Sequence, residues 1–141
     1  MSEKLLVIDD ERSMTKVVGH IAAGLGYDVK AVTDPGQATA VFLEFMPDVV
    51  VLDLVMPEVD GLEVLNEILA TGVRARIIVM ADCDVGYLRL AEGVAKFHDS
   101  DQVSVLIKPF RCGDLVRLLQ KFPTAIGWGA SGSEIATISA T

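Results

Sequence analysis

Residues 49–61 read VVVLDLVMPEVDG: four apolar residues, three of them β-branched, end on Asp53, and a loop follows that closes on Asp60 and Gly61. Unbroken apolarity, with no polar residue at alternate positions, is what a strand buried on both faces requires. Parallel sheets covered by helices on each side are built from such strands. Similar runs recur at Leu5–Ile8, Ile77–Met80 and Val103–Ile107, with a weaker one at Val29–Val32. Together they predict five strands.

The segments between the strands carry helical spacing. Met14, Val17, Val18, Ile21 and Leu25 follow the 3.6-residue period, and Gly26 stands where a left-handed cap ends a helix. Asp34, Pro35 and Gln37 combine an N-cap, a first-position proline and a capping-box partner ahead of Ala38, Val41, Phe42 and Phe45. Asp60 and Glu63 repeat that logic before Leu62, Leu65, Ile68 and Leu69, with Gly72 to close. Residues Val85 to Lys96 also have helical character, and Leu115, Leu118, Leu119 and Phe122 make a last amphipathic helix stopped by Pro123. Strand and helix alternate five times, which predicts an α/β fold: a doubly wound, five-stranded parallel sheet with helices on both faces. Ligands bind such sheets in the crevice beyond the carboxyl ends of the strands.

At 141 residues, 51% hydrophobic and 23% charged, the chain has the size and composition of one globular domain. Residues 1–123 are expected to form it. Residues 124–141, TAIGWGASGSEIATISAT, are rich in Gly, Ser, Thr and Ala and have no strong period. They read as a flexible tail or the remnant of a linker, with Trp128 available to order on a partner. Twelve basic residues against 20 acidic ones leave a net charge of -8, which repels a phosphate backbone, so direct nucleic-acid binding is not expected. Four apolar residues before Asp9 are far short of a signal-peptide core or a membrane span, so no membrane insertion and a cytoplasmic location are expected. Cys83 and Cys112 form no CxxC and have no nearby histidine, and they read as reduced structural thiols. His20 falls within the first helix and His98 in a polar loop, and no chemical role is assigned to either.

Chemistry concentrates at strand ends. Asp9 and Asp10 directly follow the first strand and Asp53 ends the third. These two strands are neighbours at the centre of a doubly wound sheet, so the three carboxylates converge on one pocket. A hard cation with oxygen ligands relieves their repulsion, and a few carboxylates, a carbonyl and waters suit Mg²⁺. Lys108, at the end of the fifth strand, points an ammonium at the same place. A cation, a lysine and a nucleophilic carboxylate suit phosphoryl transfer, whose transition state spreads negative charge over three oxygens.

The set Asp9-Asp10, Asp53 followed by Met56-Pro57 and Asp60-Gly61, and Lys108-Pro109-Phe110 resembles the CheY-like receiver domain of two-component response regulators, over residues Lys4 to Phe122. The resemblance implies a flavodoxin-like strand order, 2-1-3-4-5, in a cytoplasmic bacterial signalling protein. It implies that Asp53 takes a phosphoryl group from a phosphohistidine on a sensor histidine kinase or phosphotransfer protein, forming an acyl phosphate. Asp10, Asp53 and the backbone carbonyl of Val55 would ligate Mg²⁺ or Mn²⁺, and Asp9 would act on the ion through water. Lys108 would pair with a phosphoryl oxygen, aimed by a cis peptide bond before Pro109. Asp60 and Gly61 would shape the loop without touching phosphate. By the same resemblance the protein is a phosphoacceptor rather than an enzyme, assisting only its own phosphorylation and dephosphorylation, and it signals to an unidentified downstream protein as a monomer or weak homodimer.

The sequence departs from the pattern at the switch. Ala81 stands where the family carries a Thr or Ser that binds the phosphoryl group, and Val105 stands where an aromatic side chain moves with it. The interval from Ala81 to Lys108 is a few residues longer than usual and includes the polar KFHDSDQ. Two other readings stay open. One is a degenerate receiver that binds its partner whether or not it is phosphorylated. The other is a Mg²⁺-dependent phosphohydrolase, though Val55 occupies the place of the general acid such an enzyme needs. No helix-turn-helix pattern follows Phe122.

Overall fold

The computed structural model of this chain describes residues 2–82, 85–120 and 137–138. Cys83, Phe122, Pro123, Trp128 and all of the expected tail except Thr137 and Ile138 lie outside the described residues. Strands β1 (Lys4–Ile8), β2 (Asp28–Val32), β3 (Val49–Asp53), β4 (Arg76–Ala81) and β5 (Val103–Ile107) form a parallel sheet in the order 2-1-3-4-5, as expected. β6, the two residues Thr137–Ile138, extends it beyond β5, pairing Val105 with Thr137 and Leu106 with Ile138. The outer edge of β5 offers unpaired backbone groups, and a β-branched pair from the expected tail covers two positions of it.

β3 is buried along its whole length, and β1 from Leu5 onward, because both lie between other strands with helices on each face. Alternate side chains of a strand leave by opposite faces. Leu6, Ile8, Val50 and Leu52 pack with Phe42, Leu65 and Ile68 of helices α2 (Ala38–Phe45) and α3 (Gly61–Ala70), and with Ala91 and Ala95 of α4 (Val85–Phe97). Leu5, Val7, Val49 and Val51 pack with Val18 and Ala22 of α1 (Arg12–Gly24) and Leu115 and Leu118 of α5 (Cys112–Gln120).

Helix boundaries follow their caps. Gly26, with φ 96°, and Gly72, with φ 75°, turn the chain after α1 and α3 through the left-handed region that glycine adopts without penalty. Asp60 accepts from Leu62 N at 2.9 Å and caps α3. The second helix begins later than expected. Asp34 Oδ1 accepts from Gly36 N at 3.0 Å and so closes a 3₁₀ turn over Pro35–Gln37, and α2 starts only at Ala38 with no side-chain cap from Gln37. The backbone bond of this turn is the i→i+3 bond of a 3₁₀ helix, from Gln37 N to the Asp34 carbonyl at 2.9 Å. Among the described residues, no helix is long and apolar enough to cross a membrane.

Candidate functional site

Strand register assembles the site. Ile8 pairs with Leu52, so Asp9 and Asp53 emerge side by side from β1 and β3. Asp53 in turn pairs with Met80, and Ala81 with Ile107, which sets Lys108 just beyond the end of β4. One carboxylate oxygen from each of Asp9, Asp10 and Asp53 lies within 4.8 Å of the others. Asp9 and Asp53 are 1% and 4% exposed, whereas Asp10 faces solvent.

The two buried acids differ in how they are held. Asp53 Oδ1 accepts from Val55 N at 3.0 Å and from Lys108 Nζ at 3.1 Å. Asp9 Oδ1 accepts from Glu11 N at 3.0 Å, but its Oδ2 is buried without a hydrogen-bond partner. Burial pushes the Asp9 carboxyl up to about 7. The Glu11 amide opposes this, the nearby charge of Asp53 adds to it, and Lys108 offsets a little. A buried oxygen lacking a partner, inside a trio of carboxylates, fits a hard divalent cation with oxygen ligands.

Lys108 reaches this pocket from the end of β5. Its backbone N donates to the Ala81 carbonyl at 2.8 Å, and the Lys108–Pro109 peptide bond is cis, as the resemblance implied. Ala81 ends β4 fully buried, with a methyl where a hydroxyl was expected of the family, and Val105 is buried within β5.

The loop from Leu54 to Asp60 is pinned at several points. Leu54 N donates to Met80 O at 2.9 Å, Gly61 N donates to Leu54 O at 3.2 Å, and Val55 bridges to Asp60. A Cβ on Gly61 would lie 2.4 Å from Leu54 Cα and 2.7 Å from the Asp53 carbonyl, so Gly61 is there for want of space. Met56 packs inward at 8% exposure, while Val55 is exposed.

One participant escaped the sequence analysis. The Tyr87 hydroxyl, from the first turn of α4, lies 2.8 Å from Asp60 Oδ1 and 3.2 Å from the Leu54 carbonyl. Helical period predicts an element at residues 85–96 but carries no signal for where a hydroxyl on it will reach. The remaining candidates stand apart from the acids: His20 is exposed, His98 Nε2 meets Asn66 Oδ1 at 2.6 Å, and Cys112 is a free exposed thiol.

Comparison with known proteins gives a consistent result. The model of the response regulator receiver domain matches residues 5–120. The chemotaxis protein CheY of Listeria monocytogenes is 31% identical over 119 residues, which are 84% of this chain and 96% of that protein. The response regulator MprA of Mycobacterium bovis is 33% identical over 116 residues, or 82% of this chain but only 48% of that regulator. Among solved structures, the chemotaxis protein CheY4 of Vibrio cholerae superposes with a TM-score of 0.73 at 24% identity, covering 85% of this chain and 98% of its own. A CheY-like receiver domain protein from Methanospirillum hungatei does so at 0.74 and 16% identity, covering 89% of this chain and 96% of its own. At those identities the structural likeness speaks for the fold.

Proposed function

Since the chain belongs to the response-regulator receiver domain family, a signalling family whose members work with histidine kinases or phosphotransfer proteins, we propose that it accepts a phosphoryl group on Asp53. The observation that carries this is the convergence of Asp9, Asp10 and Asp53 around one point, with the Lys108 ammonium 3.1 Å from the Asp53 carboxylate. In the transfer an Asp53 oxygen forms the new P–O bond as the P–N bond of a phosphohistidine breaks, and the electron pair leaves with the imidazole nitrogen. Lys108, now bonded to Asp53, turns its ammonium to a phosphoryl oxygen as charge develops there. Asp10, Asp53 and the Val55 carbonyl are suited to hold Mg²⁺ or Mn²⁺, with Asp9 acting through water. When bound, the cation supplies neutralisation of the phosphoryl charge.

Intact-mass analysis after incubation with acetyl phosphate and Mg²⁺ tests this. Wild type is expected to gain the mass of one phosphoryl group, and Asp53→Asn or chelation of the metal is expected to remove the gain. A folded wild-type protein that gains nothing would overturn the proposal. It would favour a second reading, a receiver-like module that binds its partner regardless of phosphorylation. Ala81 supports that alternative, because a methyl at the end of β4 cannot donate to a phosphoryl oxygen.

A further inference from the structure

Asp53 sits at the head of a loop that a side chain from another element holds in place. Between Leu54 and Asp60 the chain leaves β3 and turns into α3, and it carries both the Val55 amide that bonds Asp53 and the Val55 carbonyl suited to the cation. The Tyr87 hydroxyl meets this loop at both ends: at the Leu54 carbonyl, one residue after Asp53, and at the carboxylate of Asp60, where α3 begins. A single phenolic proton is shared between the two acceptors. Each acceptor has a second donor from the start of α3, Gly61 N on Leu54 O at 3.2 Å and Leu62 N on Asp60 Oδ1 at 2.9 Å. The phenol therefore closes a small hydrogen-bonded frame whose other sides are the backbone of residues 54 to 62 and the Asp60 carboxylate.

We propose that Tyr87 is a positioning residue for the phosphorylation of Asp53, its hydroxyl fixing the 54–60 loop at two points and tying the orientation of the Asp53 carboxylate to the first turn of α4. This rests on the acceptor role proposed above for Asp53. Burial in the first place, then the hydrogen bond to Asp60 and its charge, push the phenol up to about 12, so it stays a donor across the working pH range. The charge of Asp53 contributes in the same direction, which puts the phenol within electrostatic reach of the acceptor. A phosphoryl group at Asp53 adds further negative charge there. Coupling between two places in a molecule is reciprocal, so a phenol that sets the acceptor's geometry also responds to the acceptor's state. The link runs through α4, an element that contributes none of the three acids or the lysine.

The test uses the full chain as wild type, Tyr87→Phe, Asp60→Asn and the double variant, each incubated with acetyl phosphate over a series of Mg²⁺ concentrations and followed by intact mass. Tyr87→Phe keeps the ring and removes only the hydroxyl. Its initial rate is expected to fall about threefold to tenfold, the scale of one hydrogen bond. Its half-saturating Mg²⁺ is expected to rise, while Tm stays within a few degrees of wild type. Asp60→Asn retains a good N-cap, so it is expected to slow phosphorylation less, and adding it to Tyr87→Phe is expected to slow it little further, because both act on one bond. Tyr27 and Tyr87 are the two tyrosines of the chain, so ¹³Cζ-tyrosine labelling gives two resonances that Tyr87→Phe assigns. The Tyr87 signal is expected to shift on phosphorylation, a response that mere packing would not require.

Wild-type rate and Mg²⁺ dependence in Tyr87→Phe, or a Tyr87 signal indifferent to phosphorylation, would overturn the inference and leave the acceptor role standing. If Tyr87→Phe fails to fold, the Asp60→Asn rate and the Tyr87 signal decide in its place. A wild type that takes no phosphoryl group removes both proposals together.

Discussion

Asp9 is the most strained charge in the molecule's described part: a carboxylate 1% exposed, with one oxygen unpartnered and a second acid beside it. Its folded form binds a proton up to about pH 7, whereas the unfolded chain releases it near 3.8. Between those values the folded state holds more protons than the unfolded one, so raising the pH through that window lowers stability. Asp9→Asn removes the titration. In metal-free protein, the variant's Tm is therefore expected to match wild type near pH 4 and to exceed it by a margin that widens towards pH 7 and then levels off. Parallel melting scans check this. A margin that stays constant with pH would show that the Asp9 carboxylate is not stressed by its surroundings.

Among the elements, α3 shows how local sequence and close packing work together. Asp60 supplies its N-cap as expected, but by accepting from the amide of Leu62, one residue short of the capping-box position at Glu63. The neighbouring Gly61 has a different reason, visible only once the helix is packed: its Cα faces the backbone of Leu54 and Asp53 with no room for a methyl group. Gly61→Ala gains helix propensity yet forces the start of α3 away from β3. The expected net result is a loss of about 1–3 kcal/mol, as for other overpacked sites. Urea denaturation measures it, and an unchanged or raised midpoint would mean that the loop yields freely. The second helix teaches the complementary lesson, since Asp34 bonds Gly36 and makes a 3₁₀ turn where a capping box was expected.

At the scale of the whole molecule, a net charge of -8 and a cluster of carboxylates at one end of the sheet favour a bound cation. Anything that binds only the folded state stabilises it, by about 2.7 kcal/mol at a hundred times its Kd. Millimolar Mg²⁺ is therefore expected to raise Tm by several degrees in wild type and hardly at all in Asp10→Ala, whose exposed side chain is otherwise inexpensive to remove. An equal rise in both would place the ion elsewhere.

The sequence by itself determined the strands, their parallel arrangement and the convergence of Asp9, Asp10, Asp53 and Lys108, because runs such as 49–53 mark burial on both faces and a doubly wound sheet gathers strand ends at its centre. The tertiary structure alone decided the rest. It left Asp9 Oδ2 without a partner, it allowed no Cβ at Gly61, it set Thr137–Ile138 beside β5, and it brought the Tyr87 hydroxyl to Leu54 and Asp60. The physical reason is one of range. Periodicity and caps act between near neighbours in the chain, whereas those features depend on distances between residues that only packing brings together.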